Sequence, residues 1–442
     1  FAPGGIAELR GTVEALHDAG IAFILDVVMN TTGEADAIVP VLSLRGLDNL
    51  AYYRHVGSPP RLDNVTGCGN TLDCDKPVVQ KLVIDALRHF VTHAEVDGFR
   101  FDLATVLGRT ADGFDPDAPL LRMLRDDPVI GDRVLIAEPW DIGEGGYRLG
   151  GFPRPFLEWN DRYRDDVRRF WRRDAGMAGP LATRLAGSFD IFRGAAATRT
   201  VNFVAAHDGM TLADLVSYER KHNSANGEDN RDGHSENFSW NNGVEGKTTN
   251  AAIVERRRQD GAALLATLFA SRGTIMLTAG DEFGRSQHGN NNAYAQDNET
   301  TWLDWEETDE ELLGFARALG ALRRRFGALS GTTILTGQPG NGSEFPDVAW
   351  LTELGDALAP EDWQEEGRRA FTMMLREGEG AAALRLAIFI NANDHPRAFT
   401  LPERAGYEWR RRAAFGASDS GAAAAGIIPA PARSVLFYAE AR

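Results

Sequence analysis

The chain has 442 residues, enough for one large domain and a smaller one. With 43% hydrophobic and 25% charged residues it has an ordinary globular composition, and its net charge of −17 argues against nucleic acid or an anionic membrane as partner. No apolar run approaches the roughly 20 residues that span a bilayer, and two cysteines, Cys68 and Cys74, exclude a disulfide framework and are expected as free thiols.

The chain starts at Phe1 without an initiator Met or a charged leader, so it reads as a fragment. Ile6, Leu9, Val13 and Leu16 share a helical face that Gly20 ends. Ile21–Val28 is almost wholly apolar, the pattern of a strand buried on both sides, and leads into Asp26-Val27-Val28-Met29-Asn30. A polar, aromatic loop with Tyr52, Tyr53, His55 and both cysteines follows. Pro77 opens a helix that is expected to turn Val78, Leu82, Leu87 and Phe90 or Val91 inward. A strand over Phe99–Asp102, a helix near Pro119–Asp126 and a strand over Val134–Ala137 come next.

Asp161–Arg173 reads as a helix, Val201–Ala205 as a strand ending in Ala206-His207-Asp208-Gly209, and Thr211–Tyr218 as the start of a helix. Lys221–Gly246 is too long and polar for an ordinary connection and is expected to be functional or disordered. Ala251–Ala270 is a helix, Thr274–Ala279 a last buried strand, and Glu310–Phe326 a helix again. Alternating strands and helices predict a parallel α/β fold, and charged residues at strand C-terminal ends favour a TIM-type barrel. A doubly wound sheet is the rival, but Gly67-Cys68-Gly69 lacks the preceding strand and third glycine of a dinucleotide turn. After residue 330, short strands at Phe371–Leu375, Leu386–Asn391, Arg397–Leu401 and Val435–Tyr438 predict a small all-β domain, with Gly421–Pro431 as a loop.

Two strands end abruptly in carboxylates, Asp102 after Gly98-Phe99-Arg100-Phe101 and Glu138 after Leu135-Ile136-Ala137. Alternation puts Arg100 on the same face as Asp102, where a guanidinium favours the ionised acid. If the strands are parallel neighbours, their ends lie about 4.8 Å apart, close to the 5–5.5 Å between the two carboxyl groups of a retaining glycosidase. Asp102 is then the nucleophile and Glu138 the acid, with Arg100 holding Asp102 ionised and leaving Glu138 free to keep its proton. His89 and His93, four apart on a helix, lack a third ligand nearby and read as an ordinary pair.

Asp26–Asn30, Gly98–Asp102, Glu138 and Phe203–Asp208 together resemble the four signature regions of glycoside hydrolase family 13, the α-amylase family. Leu42–Asn49, Ala104–Arg109, Ala225–Asn230, Gly289–Tyr294, Gln296–Asn298 and Thr301–Trp305 resemble its bacterial glycogen-debranching, isoamylase-type members. The resemblance implies a (β/α)8 barrel over residues 1–330 and a C-terminal β-sandwich over 331–442. It makes Asp102 the nucleophile, Glu138 the acid and base, and Asp208 the third carboxylate. Arg100, His207, Asp26, Asn30 and Trp140 become substrate-binding residues. The implied reaction is hydrolysis of α-1,6 branch linkages in glycogen or limit dextrins, in the cytoplasm, without metal or cofactor. An isoamylase-like or α-1,4-acting enzyme and a non-catalytic glucan-binding remnant are the alternatives. Phe238, Trp240, Trp140, Tyr147, Trp302 and Trp305 are candidate platforms for glucose rings.

Two departures from the family pattern stand out. Thr31 occupies the place of a sugar-contacting histidine, and Met29 that of a common tyrosine. Loss of one buried sugar hydrogen bond costs on the order of 1–3 kcal/mol, or tenfold to a hundredfold in rate. Phe1-Ala2-Pro3 also resembles the segment just after the second barrel strand. An N-terminal β-sandwich and two strands are thus expected to be missing, which leaves the sheet with open edges.

Overall fold

The computed structural model describes residues 4–34, 38, 40–340, 342–417 and 421–442; Phe1-Ala2-Pro3 lies outside them. The chain forms two compact units, Phe1–Trp159 and Asn160–Arg442.

In the first unit, helix α1 (Ile6–Asp18) precedes strand β1 (Ile24–Val27). Helix α2 (Arg45–Tyr52) stands inside the stretch expected as a loop. Helix α3 (Pro77–Ala94) links β1 to β2 (Gly98–Phe101), and α4 (Pro119–Asp126) links β2 to β3 (Val134–Ala137). A short strand β4 (Leu157–Asn160), missed by sequence reasoning, follows. The strands are parallel and run in the order β1-β2-β3-β4.

Phe99 and Phe101 on β2 are fully buried with Leu87 of α3, Leu120, Leu121 and Leu124 of α4, and Leu135 of β3. Burying side chains of this size stabilises by roughly 1.5–3 kcal/mol each. The face that α3 buries is set by Val79, Val83, Leu87 and Val91; Val78 and Leu82, expected inward, are exposed. Val78-Val79 and Leu82-Val83 are adjacent apolar pairs, so periodicity allowed either face. The expected burial of Ile21–Val28 on both sides also fails. Ile21, Ile24 and Val28 are exposed because β1 is the end strand of its sheet.

The second unit opens with helix α5 (Asp161–Arg172), capped by the Asn160 side chain accepting from the Tyr163 N–H at 2.9 Å. Helix α6 (Ala178–Leu185), strand β5 (Thr200–Asn202), the single turn α7 (Leu212–Leu215) and helix α8 (Ala251–Ala270) follow. Strand β6 (Thr274–Ile275) pairs parallel with β5. It is shorter than the expected buried strand and its Thr274 is exposed, because it too is an end strand. Helix α9 (Glu310–Arg325) begins at Asp309, whose carboxylate accepts from the Leu312 N–H at 3.0 Å.

The same unit ends in strands β7 (Val348–Leu351), β8 (Ala370–Glu377), β9 (Leu384–Asn391), β10 (Arg397–Leu401), β11 (Glu408–Ala413), β12 (Ala423–Ala424), β13 (Gly426–Ala430) and β14 (Ser434–Ala441). They make an antiparallel sheet in the order β7-β8-β9-β14-β11-β12 and a separate β10–β13 pair. The Gly421–Pro431 segment, expected as a loop, therefore contributes two strands; Pro429 is tolerated because β13 pairs with β10 alone. Among the described residues, no helix is long and apolar enough to cross a membrane.

Candidate active site

Three neighbouring parallel strands run into carboxylates, and their register decides which of them meet. Asp26 of β1 lies opposite Arg100 of β2, and Arg100 lies opposite Ile136 of β3, two residues before Glu138. Residues two apart on a strand share a face, so Asp102 and Glu138 both project on the Arg100 side. The guanidinium collects all three. Its Nη1 donates to Oδ1 of Asp26 at 3.0 Å and to Oδ1 of Asp102 at 3.1 Å. Its Nη2 stands 2.9 Å from Oε2 of Glu138. Its Cζ lies 4.1 Å from the ring centroid of Trp159, a cation–π contact near the strong, desolvated end of the range. Burial opposes the charge on Arg100, but Glu138, Asp26 and Asp102 outweigh it and raise its pKa.

The expected division of labour at Arg100 is therefore different. The guanidinium serves Glu138 as well as Asp102, because Glu138 is its diagonal neighbour across the strand pair. Exposure separates the three acids instead: the side chains of Glu138, Asp102 and Asp26 are 6%, 28% and 52% exposed. Asp102 thus faces the open side while Glu138 is enclosed.

Asn30 supplies the second clamp on Asp102. Its Nδ2 donates to both Oδ2 and the backbone oxygen of Asp102, each at 2.8 Å. With Oδ1 on Arg100 and Oδ2 on Asn30, the carboxylate is fixed by both oxygens. Asn30 is fully buried, and its own Oδ1 has no hydrogen-bond partner among the described residues. Oε2 of Glu138 accepts from the Leu103 N–H at 2.8 Å. Leu103 adopts φ 39°, a left-handed conformation that costs a leucine about 1–2 kcal/mol, and this turn aims its N–H at Glu138.

A buried ion pair that sequence reasoning missed holds the loop after β3. Arg109 donates to Asp141 through Nε at 2.7 Å and Nη2 at 2.6 Å, and these bonds raise its pKa. Asp141 also accepts from the Gly143 N–H at 2.8 Å. Trp140, half-buried, sits on this loop. The available signal was Arg109 itself, which ends the Ala104–Arg109 motif. Thr31 is tied down, its Oγ1 donating to the Asn70 carbonyl at 3.0 Å. Glu34 is fully buried and accepts from the Tyr53 hydroxyl at 2.6 Å. Burial pushes its pKa up, yet Tyr53 and the backbone N–H groups of Ser43, Arg45 and Leu42 hold it at about 2.

In the second unit, the chain leaving β5 reaches His207 and Asp208. Both are exposed, and His207 Nε2 lies 3.5 Å from Asp208 Oδ2. Of the candidate sugar platforms, Trp302, Trp305 and Tyr147 are exposed, with Trp305 5.2 Å from Phe283. Trp240 donates to Asp260 at 2.8 Å, and the guanidinium of Arg172 lies 5.2 Å from Phe238. Those last two are structural contacts. His89 and His93 lie against each other at 4.6 Å, and Cys68 and Cys74 are free thiols. Among the described residues, no group of three or more His, Cys, Asp and Glu is arranged to hold a metal ion.

No family model matches the sequence. The chain is 46% identical over 433 residues to the glycogen debranching enzyme of Cronobacter sakazakii, covering 98% of this chain and 63% of that protein. It is 48% identical over 427 residues to the enzyme of the same name from Serratia proteamaculans, covering 96% and 61%. The chain is a homologue of the glycogen debranching enzymes. It spans about three fifths of their length, 63% and 61% for these two. Its fold is that of pullulanases. The structure from Bacillus acidopullulyticus superposes with a TM-score of 0.71 at 22% identity, over 98% of this chain and 48% of that one. The maltotetraose complex of the Anoxybacillus pullulanase gives 0.71 at 21%, over 98% and 56%.

Proposed function

We propose that this homologue carries the catalytic part of a retaining glycoside hydrolase that cleaves α-1,6 branch linkages of glycogen or limit dextrins. The observation that carries the reading is the Arg100 hub, with Asp102 oriented through both oxygens and Glu138 enclosed beside it. Asp102 attacks the anomeric carbon while Glu138 gives its proton to the departing oxygen, forming a glycosyl ester. Glu138 then takes a proton from water, which releases the sugar and restores Asp102. Oε2 of Glu138 accepts from the Leu103 N–H and lies beside the Arg100 guanidinium, which fixes the carboxyl group in place for this transfer. Asp208 and His207 hold sugar hydroxyls and Asp26 and Trp140 line the cleaved unit, whereas Asn30, fully buried, acts on the sugar only by holding Asp102. These steps are acid–base and nucleophilic chemistry and need no cofactor. A cytoplasmic location belongs to the same reading.

Residues 1–330 are read as a (β/α)8 barrel. Residues 331–442 are its β-sandwich companion. The test compares reducing-end release from phosphorylase-limit dextrin, amylopectin and linear maltooligosaccharides. Release from the limit dextrin ahead of the others is expected; activity confined to the linear substrate would overturn the assignment.

A further inference from the structure

The polar stretch Lys221–Gly246 contains one 3-10 turn, at Ser224–Asn226, so its backbone groups must find partners other than a regular ladder. Asparagines supply them. Asn223, fully buried, forms a mutual pair with Asn291: its Oδ1 accepts the Asn291 N–H at 3.0 Å and its Nδ2 donates to Asn291 Oδ1 at 2.9 Å. Asn291, also buried, donates through Nδ2 to the His234 carbonyl and to Asn237 Oδ1, both at 2.8 Å. Asn226 and Asn292 close the loop on Oδ2 of Asp232 at 2.7 and 2.8 Å.

One bond leaves this cluster for the backbone beside His207 and Asp208. The backbone oxygen of Asn291 accepts the Gly209 N–H at 3.0 Å. Gly209 directly follows His207-Asp208 and has φ 119°, a conformation that a side chain would strain. An exposed carboxylate such as Asp208 is only as well placed as the backbone beneath it. Here that backbone is anchored to a residue whose own position is set by three side-chain hydrogen bonds, each between buried or partly buried groups.

We infer that Asn291 is a positioning residue for Asp208, acting through Gly209, and that the asparagine cluster is the frame of the His207-Asp208 turn. The inference rests on the reading of Asp208 as the third carboxylate. Asn291→Ala removes all three side-chain bonds and leaves the backbone oxygen without its support. Asn291→Asp keeps the acceptor for Asn223 and loses both donors.

A double-mutant cycle with Asp208→Asn tests it, with kcat and KM measured on limit dextrin. An α-maltosyl fluoride, whose leaving group needs no protonation, gives a measurable rate in the weaker variants. Misplacement on the ångström scale lowers kcat about 10–100-fold, with KM little changed. In the Asp208→Asn background the same change at Asn291 is expected to cost less than about twofold. A full loss repeated in that background would show that Asn291 acts elsewhere, and no loss in the wild type would also overturn the inference. If Asn291→Ala fails to fold, the Asn291→Asp cycle decides by the same criteria. Should Asp208→Asn alone leave hydrolysis intact, the role of Asp208 itself fails, a result the single variant displays directly.

Discussion

Replacing Arg100 with methionine is the most direct test of the site's physics, because it keeps bulk in the core and removes the one charge shared by three acids. The cost is set by how well each acid can be solvated afterwards. Asp26, with 52% of its side chain exposed, is rehydrated at little cost, and Asp102 at 28% needs modest rearrangement. Glu138 at 6% has no such escape. Stranding one partner of a buried pair costs about 3–5 kcal/mol when that partner is ionised, so the ionised form of Glu138 sets the upper end of the expected loss. Urea unfolding gives the total, and hydrogen exchange across Phe99–Asp102 reports locally on β2. Arg100→Lys, a point charge with no planar fork, should recover only part of the loss. Unfolding midpoints within error of wild type, at pH 7 and below, would refute the view that this guanidinium holds the strand ends together.

Four further outcomes are expected. Asp102→Asn should lower limit-dextrin hydrolysis by on the order of 10⁴ or more without loss of folded protein; Glu138→Gln should slow it about 10²–10⁴-fold while sparing attack on an α-maltosyl fluoride. Arg109→Leu leaves Asp141 buried without its partner and should destabilise by about 3–5 kcal/mol, whereas Arg109→Leu with Asp141→Leu should recover much of it in the same denaturation assay. Asp281 is fully buried, and burial pushes its pKa up to about 7 against the pull of the Leu212 N–H and Arg285. The folded chain therefore keeps a proton that the unfolded chain releases near ~4, so this group's stabilisation is lost as pH rises through that window, by about 1.4 kcal/mol per pH unit. Asp281→Asn keeps an acceptor for Leu212 and should gain on wild type as pH rises from about 4 to about 7 and hold that gain above it; parallel stability curves would sink this account.

The carboxylates and their order along the chain were legible because each ends a short apolar run. The helix Pro119–Asp126, the strand Val134–Ala137 and the helix Ala251–Ala270 were legible for a related reason, strong periodicity between clear stops. What escaped was set by tertiary placement. Strand β4 is only four residues long and follows a stretch rich in Gly and Pro, so Trp159, which meets Arg100 face-on, was not singled out. The exposure of Ile21, Ile24 and Val28 follows from an edge position, which no local pattern encodes. The sharing of Arg100 by Glu138 needed the β2–β3 register, since a sequence shows that Arg100 and Asp102 are two apart but not which residue lies across the sheet.

That register connects folding to chemistry. Strand β2 is buried throughout: Phe99 and Phe101 fill the core, and Arg100 and Asp102 belong to the opposite alternation. A slip of one residue would exchange these sets, placing a guanidinium in the apolar core and a phenylalanine among the acids. Gly98 adds a steric check where the strand begins, because a Cβ there would run into the Val134 carbonyl oxygen of the neighbouring strand. The two phenylalanines therefore do more than stabilise the sheet. By being unable to face the acids, they determine that Arg100 does, and the spacing of Asp26, Asp102 and Glu138 around it follows from the pairing they enforce.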